Sequence, residues 1–387
     1  MSTNKSNTNN ELAIYFESKL QAHEQFLIKN IFNNGELAET SIFDETKLTA
    51  YSTKNGVAPL LFKHKTTETL SDSSKKTLQN SYFKTLLNNT QHFETIKWIQ
   101  NTLTKHNIEF LFLKGSLLAH TRYSDASLRP MSDIDFIVET GKVVEAYKVL
   151  MNGGASGKQM PFTIAANDHH LPQIKYGNSL IEIHQTLFPI NSKYNIDTTT
   201  LFKHRIMWEK QNISIPGPSV AHTAIHVALH LYYTFLRGGL RLSWFCDLHM
   251  LVNDLDQINQ KELNDFAKQH KLIPALSFVG EFYSLLSNKT LPNWPINTDK
   301  TIRKIDIDRV TKSFRANEQQ DTRESYQLII EQINEAKSLK EKLSIINLRL
   351  TKNNSLKGLQ LLKHIAITSY RSSGYIINHT LKKLRLK

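Results

Sequence analysis

The feature that most constrains the fold of this chain is a pair of aspartates, Asp133 and Asp135, inside the apolar run DIDFIVE. A short apolar run of this kind predicts a buried β-strand. Side chains alternate across a strand, so the two carboxylates share one face while Ile134 and Phe136 supply the core face. An isolated buried charge costs several kcal/mol unless a cation meets it. The pair therefore predicts a strand with a cation-binding face.

A second apolar run, SLIEIH, repeats this arrangement and places Glu182 and His184 on one face. If this strand pairs beside the first, Glu182 becomes a third carboxylate next to Asp133 and Asp135. Such hard oxygen ligands suit Mg²⁺ or Mn²⁺. Without the metal the acids would repel one another, and at least one pKa would rise. Three acids fit a two-metal phosphoryl-transfer site, in which Glu182 could also take a proton from an attacking hydroxyl.

The run IEFLFLKG, ahead of the acids, predicts another buried strand, and SLLAHTRY after it predicts a short helix. Gly115 would let a backbone amide approach a phosphate, and Ser116 could donate a hydroxyl hydrogen bond at the start of the helix. Lys114 and Arg129 could offer cations to the phosphates. Residues 114–129, between the first strand and the acids, therefore predict a nucleotide site beside the metal site.

Patterns along the rest of the chain predict a small α+β core with a mixed sheet, flanked by N- and C-terminal helical regions. HLPQIKYGNSLIEIHQTLF is typical of two strands joined by a Gly177–Asn178 turn. The expected regions are a disordered tail at 1–10, helices over 11–105, the core at 106–190, helices over 191–300 with a loop at 291–298, and a helical, strongly basic region at 301–387.

Charge is concentrated at the C-terminal end. The chain has 387 residues and a formal net charge of +13, and the ten Lys and Arg of residues 342–387, with no Asp or Glu, account for ten of these charges. Such a segment attracts RNA or an anionic membrane surface, or is only a solvated face. The single cysteine, Cys246, the lack of an apolar leader and the lack of a transmembrane run are typical of a cytoplasmic protein, with peripheral membrane contact through the basic segment as an option.

These residues resemble a known family. The stretch LKGSLLAHTRYSDASLRPMSDIDFIV is similar to the Leu-Lys-Gly, Tyr, Arg-Pro-Met and Asp-Ile-Asp motifs of the uncharacterised nucleotidyltransferase family, within the DNA polymerase β-like nucleotidyltransferase superfamily. IEIHQTL resembles its next acidic strand. LRLSWFCDLHMLV resembles a helical segment of the family and points to Arg241, Trp244 and Asp247. The resemblance covers roughly residues 106–255.

The resemblance implies a magnesium-dependent transferase that moves a nucleoside monophosphate from an NTP, with ATP as the expected nucleotide, to an acceptor hydroxyl. Asp133, Asp135 and Glu182 would be the catalytic and metal residues. The nucleotide would contact the following set: Lys114, Gly115, Ser116, Arg129, His184, Arg241 and Asp247. The acceptor, whether a small molecule, a sugar, a peptide or protein, or RNA, is not indicated by any motif.

Other interpretations remain open. The acids could hold a nucleotide without turnover, in a binding protein whose basic end engages RNA or membrane, or could serve an RNA-modifying transferase. His184 could be a satisfied structural histidine, and Arg241 and Asp247 a structural pair. His222, His226 and His230 form a stripe on a helix, where zinc is conceivable. Since no carboxylate is evident near them in the sequence, a packed or acceptor-facing stripe is favoured.

Overall fold

The computed structural model describes most of the chain up to residue 315. The described residues are 2–32, 43–160, 169–188, 192, 194, 196–237, 239–289, 291, 293–295 and 302–315. The basic segment 342–387 and part of the loop expected at 291–298 lie outside them. The side chains of the candidate site belong to the compact unit formed by residues 1–233 and 240–315. Among the described helices, none has the length and apolar character needed to cross a bilayer.

The N-terminal part of the chain is helical. Its helices are α1 (Ser2–Lys19), α2 (Ala22–Phe32), α3 (Glu45–Lys54), α4 (Ala58–Lys63) and α5 (Asp72–Lys105). Residues 2–10 continue α1 where a disordered tail was expected, because each residue added to an existing helix gains a backbone hydrogen bond. In α5, His92 Nδ1 and Thr95 Oγ1 lie 2.8 and 3.0 Å from Ser179 Oγ. These contacts anchor the longest helix of the described chain to the sheet that follows.

Five strands form one mixed sheet within the predicted range 106–190. They are β1 (Phe110–Phe112), β2 (Asp133–Val138), β3 (Ser156–Gly157), β4 (Ile174–Tyr176) and β5 (Ser179–His184), with helix α6 (Lys114–Thr121) after β1 and α7 (Val143–Asn152) after β2. The strand order is β1-β2-β5-β4-β3. Strands β2 and β5 are parallel, while the other pairs are antiparallel. The predicted α+β class is confirmed, as is the turn between β4 and β5.

A two-stranded hairpin follows the sheet, in a region where only helices were expected. Its strands are β6 (Ile206–Lys210) and β7 (Ile213–Gly217). Gln211, in the two-residue turn, has a φ of 51°, the left-handed conformation that tight hairpins need. Trp208 is fully buried and donates its Nε1–H to the Pro218 carbonyl at 2.8 Å. The second strand was not predicted, because it contains Pro216 and Gly217 and both residue types are depleted in strands.

The remaining described elements are helices. They are α8 (Thr198–Lys203), which precedes the hairpin, then α9 (Val220–Arg237), α10 (Leu242–Asn253), α11 (Gln257–Gln269), α12 (Ile273–Ser287) and α13 (Lys304–Arg315). Helix α13 closes against the N-terminal helices. Arg315 Nε donates to Glu24 Oε1 at 2.6 Å, and Asn55 Nδ2 donates to the Phe314 carbonyl at 3.1 Å.

Candidate active site

The predicted pairing of the two acidic strands is present. Strand β2 runs parallel to β5 in a register that places Asp135 directly beside Glu182. Ile134 and Ile181, on the opposite face, have no exposed surface. The alternation of strand side chains therefore puts apolar groups into the core and gathers the carboxylates on one face, together with His184. Ligand atoms of Asp135, Glu182 and His184 lie within 4.8 Å of one another.

Asp135 is the anchored member of this group. Its Oδ1 accepts hydrogen bonds from Lys114 Nζ at 3.0 Å and from His184 Nε2 at 2.8 Å. Burial alone would raise the pKa of Asp135, but the Lys114 charge and the His184 hydrogen bond hold it well below its usual range. Asp135 is therefore ionised at any pH at which the protein would work.

The other two carboxylates are less well compensated. Burial raises the pKa of Asp133, and the charge of Asp135 raises it further. The same two causes raise the pKa of Glu182. Both shifts therefore come first from burial and then from the nearby negative charge of Asp135. The second cause is the repulsion expected of a set of acids that shares a cation.

Lys114 reaches Asp135 from the start of α6. Its backbone φ is 48°, a left-handed conformation that costs a non-glycine residue about 1–2 kcal/mol. Burial would lower the pKa of Lys114, but Asp135 and the two other acids raise it overall, so the ammonium stays charged. Strain of this kind is retained where the position of a side chain matters. Leu113, the residue before Lys114, provides no side-chain cap, which leaves the N-terminus of α6 suited to an anion.

Ser116 and Gly115 have structural tasks that the sequence did not show. Ser116 is fully buried, and its Oγ accepts a hydrogen bond from the backbone N–H of Asp135 at 2.8 Å. Ser116 therefore fixes the acidic strand as an acceptor, and its hydrogen bond to a triphosphate stays a prediction. A Cβ on Gly115 would lie 3.0 Å from Met131 Cγ, so glycine is needed there for close packing.

Arg129 and Asp247, expected to contact the nucleotide, instead form a buried ion pair. Arg129 Nε donates to Asp247 Oδ1 at 2.8 Å, and its Nη2 donates to Oδ2 at 2.7 Å. The Tyr123 hydroxyl donates to Asp247 Oδ1 at 2.7 Å, and Arg129 Nη1 donates to the Pro130 carbonyl. Each guanidinium nitrogen of Arg129 thus has a protein acceptor, and the pair holds the loop before β2. A contact of either residue with the nucleotide stays a prediction. Sequence reasoning paired Asp247 with Arg241, and the structure pairs it with Arg129.

His184 is also buried, and burial lowers its pKa, so the ring is neutral and donates a hydrogen bond to Asp135.

Arg241 is partly buried, with its Cζ 5.8 Å from the centre of the Trp244 ring. Burial lowers the pKa of Arg241, while the charge of Asp133 raises it, which places this cation within the field of the acids. Arg241 therefore remains a candidate for phosphate contact.

Sequence reasoning missed a second group of histidines beside the acids. The rings of His169 and His170 lie 5.5 and 5.7 Å from that of His184, and His170 forms an isolated β-bridge with His184. The charge of His170 acts on Glu182, lowering its pKa against the larger effects that raise it. Two adjacent histidines just before a predicted strand were the available signal. In the predicted stripe on α9, His226 packs edge-on against Phe188, which agrees with a packed position.

The donor set fits a hard divalent cation. Three carboxylates from neighbouring strands share one face, and two of them have raised pKa values that a bound cation would reverse. Carboxylate oxygens are the preferred ligands of Mg²⁺ and Mn²⁺. Asp133, Asp135 and Glu182 are thus the residues that could hold such an ion.

Comparisons with known proteins show which family the chain belongs to. The profile of a family described as "Uncharacterised nucleotidyltransferase" matches residues 41–287. A crystal structure of ANT(2″)-Ia in complex with adenylyl-2″-tobramycin is similar with a TM-score of 0.34 and 10% identity, covering 47% of this chain and 98% of that one. No protein of curated function matches. Because the family profile spans well over half of the 387 residues, the chain belongs to the uncharacterised nucleotidyltransferase family.

Proposed function

We propose that the protein is a Mg²⁺- or Mn²⁺-dependent nucleotidyltransferase that moves a nucleoside monophosphate from an NTP, with ATP as the expected nucleotide, to a hydroxyl of an acceptor. The observation that carries the proposal is the register of β2 and β5, which sets Asp135 beside Glu182 at a face with excess negative charge. Family membership supports the reaction class.

Asp133, Asp135 and Glu182 would hold the metal. A divalent cation bound there would neutralise the phosphate oxygens and make the acceptor hydroxyl easier to ionise. Lys114 stays charged and Arg241 lies within the field of Asp133, so these two side chains would bind phosphate oxygens. The N-terminus of α6 would add backbone N–H groups. Together these residues orient the triphosphate across the acidic face.

The transfer itself exchanges a phosphoanhydride bond of the NTP for a phosphoester bond to the acceptor. The acceptor oxygen bonds to the α-phosphorus, the bond from that phosphorus to the bridging oxygen of the β-phosphate breaks, and pyrophosphate leaves. Glu182 would take the hydroxyl proton, because its side chain is 21% exposed, whereas that of Asp135 is 7% exposed and is bonded to Lys114 and His184.

The buried groups near the site would act by positioning. Ser116 fixes the backbone of Asp135, and His184 fixes its carboxylate. The Arg129–Asp247 pair holds the loop that leads into β2. None of these side chains needs to touch the substrate in order to affect the rate, because small displacements of the acids would weaken the metal site.

Labelled NTPs provide the direct test. The purified protein is incubated with each of the four α-labelled NTPs and a cell extract, and the labelled product is identified by mass spectrometry. Asp133→Asn and Asp135→Asn should abolish both labelling and pyrophosphate release while the circular dichroism spectrum is unchanged. Asp265→Asn, at an exposed position on α11, is the matched control and should label normally. Labelling retained in both site variants would refute the proposal, and NTP binding without any pyrophosphate release would indicate a non-catalytic nucleotide-binding protein.

The basic segment 342–387 enters the proposal as a site for a polyanion, either an RNA acceptor or an anionic membrane. Removing it should weaken binding to RNA or to phosphatidylserine vesicles at low salt, and the binding of the full chain should fall steeply as salt rises. Equal binding by the truncated chain would show that the segment is only a solvated surface.

A further inference from the structure

A second group of potential metal ligands lies apart from the acidic face, between three helices. His204 follows the last residue of α8, His222 lies in the first turn of α9, and Glu262 lies in α11. Their ligand atoms are within 4.8 Å of one another. The three residues are separated in sequence by 18 and 40 positions, so only the fold brings them together.

The contacts of this group converge on a single oxygen, Glu262 Oε1. His204 Nδ1 lies 3.0 Å from it, and His222 Nδ1 lies 3.2 Å from it. Ser219 Oγ is 3.2 Å from the same oxygen and 2.8 Å from His222 Nδ1. Without an ion, hydrogen bonds satisfy this oxygen, because His222 Nδ1 can donate to Ser219 Oγ while Ser219 and His204 donate to Glu262 Oε1.

These separations match those between the ligands of a tetrahedral metal ion. Zinc–ligand bonds of about 2.0–2.1 Å place adjacent ligand atoms about 3.3 Å apart. Two imidazole nitrogens with one carboxylate oxygen form a donor set that zinc prefers and that magnesium does not. The group thus differs in chemistry from the three carboxylates of the sheet.

Burial is graded across the group in a way that suits ion entry. The side chain of His222 is 1% exposed, that of Glu262 24% and that of His204 43%. The His222 ring packs edge-on against Phe266, with 4.7 Å between ring centres, which fixes its orientation. The exposed side, at His204 and Glu262, leaves space for a water molecule.

We propose that His204, His222 and Glu262 form a zinc-binding site, with the two Nδ1 atoms and a Glu262 oxygen as protein ligands and a water as the fourth. Ser219 then hydrogen bonds to the Glu262 carboxylate instead of to His222. The ion ties the end of α8 to α9 and α11, and so holds the hairpin β6–β7, which lies between α8 and α9 in the chain, to the helices that follow it. It is separate from the acids of the transfer reaction.

Binding is tested with Zn²⁺ and with Co²⁺ as a spectroscopic probe, on the full chain after treatment with EDTA. The wild type should bind Zn²⁺ at the site and give the intense visible absorption of tetrahedral Co²⁺. His204→Ala and Glu262→Gln should each lose this absorption and weaken Zn²⁺ binding at least about 100-fold, since even groups that only orient a ligand cost about 10–100-fold. Zn²⁺ should also raise the melting temperature of the wild type but not that of these variants.

Two controls separate this site from others. His106→Ala, at an exposed histidine after α5, should leave binding unchanged. Asp135→Asn should keep the Co²⁺ absorption, because it removes a carboxylate of the sheet. The proposal is overturned if the absorption survives in both His204→Ala and Glu262→Gln, if it disappears in Asp135→Asn, or if the wild type shows no tetrahedral Co²⁺ spectrum.

Discussion

Two neighbouring groups of buried charges differ in how well they are balanced. In the pair Arg129 and Asp247, one guanidinium meets one carboxylate through two hydrogen bonds. On the face of the sheet, three carboxylates meet one ammonium, that of Lys114, which leaves two negative charges in excess when all three acids are ionised. A balanced buried pair can serve structure alone. Excess charge of one sign costs stability and is retained where a ligand of opposite charge completes it.

The largest expected effect concerns the three carboxylates on the face of the sheet, Asp133, Asp135 and Glu182. Glu182→Gln removes a metal ligand and the proposed proton acceptor, and a bound metal contributes several kcal/mol to the transition state. We expect nucleotide transfer to fall by about 10³-fold or more, since each 1.36 kcal/mol is a factor of ten. The rate of pyrophosphate release, with the acceptor found by labelling, measures this. Unchanged transfer would remove Glu182 from the mechanism.

The next effect concerns the buried ion pair of Arg129 and Asp247. Asp247→Asn leaves the Arg129 guanidinium buried beside a neutral group, and breaking a buried pair in this way costs about 3–5 kcal/mol of folding free energy. Urea unfolding at pH 7 measures the loss. The control is Glu109→Gln, which breaks the exposed pair with Arg205 at 2.7 Å and should cost only about 0–1 kcal/mol. Equal losses of unfolding free energy in the two variants would show that burial does not increase the contribution of the Arg129–Asp247 pair to stability.

A smaller effect separates the two tasks of Lys114. Among the described residues, Lys114 is the cation that bonds to Asp135, and Lys114→Met removes it. Mn²⁺ should then bind the nucleotide-free protein about tenfold more tightly, because a positive charge within a few ångströms opposes it. The same variant should bind the Mn²⁺–ATP complex about tenfold more weakly, because a phosphate contact is lost. Calorimetric titrations give both constants. A change of the same sign in both would contradict the proposed contact between Lys114 and phosphate.

The smallest effect is the pH dependence of stability. Since the pKa of Glu182 is raised above its usual value of 4.5 by burial and by Asp135, the folded state binds protons more tightly than the unfolded state. Stability therefore falls as the pH rises through the interval between these two pKa values. In EDTA, Glu182→Gln should be more stable than the wild type at pH 7 and indistinguishable from it at pH 3.5. A stability difference that is the same at both pH values would indicate another cause.

The group of carboxylates on the face of the sheet could be predicted from the sequence because it depends on a local pattern. Alternation along a strand places Asp133 with Asp135 and Glu182 with His184, and the only non-local condition, that the two strands pair, is met. The predicted rise in at least one pKa is confirmed for Asp133 and Glu182. Short-range periodicity thus determined which side chains could act together.

The ion pair of Arg129 and Asp247 could not be predicted, because its partners are 118 residues apart in the chain. An arginine near a proposed nucleotide site suggests a phosphate ligand, and only burial shows that Asp247 satisfies Arg129. The acceptor role of Ser116 could not be predicted for the same reason, since it depends on the approach of β2. In the histidine group, the helical stripe singled out His222, but its partners His204 and Glu262 come from other helices.

The most direct test of the account is to locate the metal. Crystals grown with Mn²⁺ and a non-hydrolysable ATP analogue would show the ion by anomalous scattering at the manganese edge. The account predicts a peak within about 2.2 Å of carboxylate oxygens of Asp135 and Glu182, with the triphosphate on the same face. A nucleotide bound elsewhere, or bound on this face with no manganese between it and the carboxylates, would contradict the account.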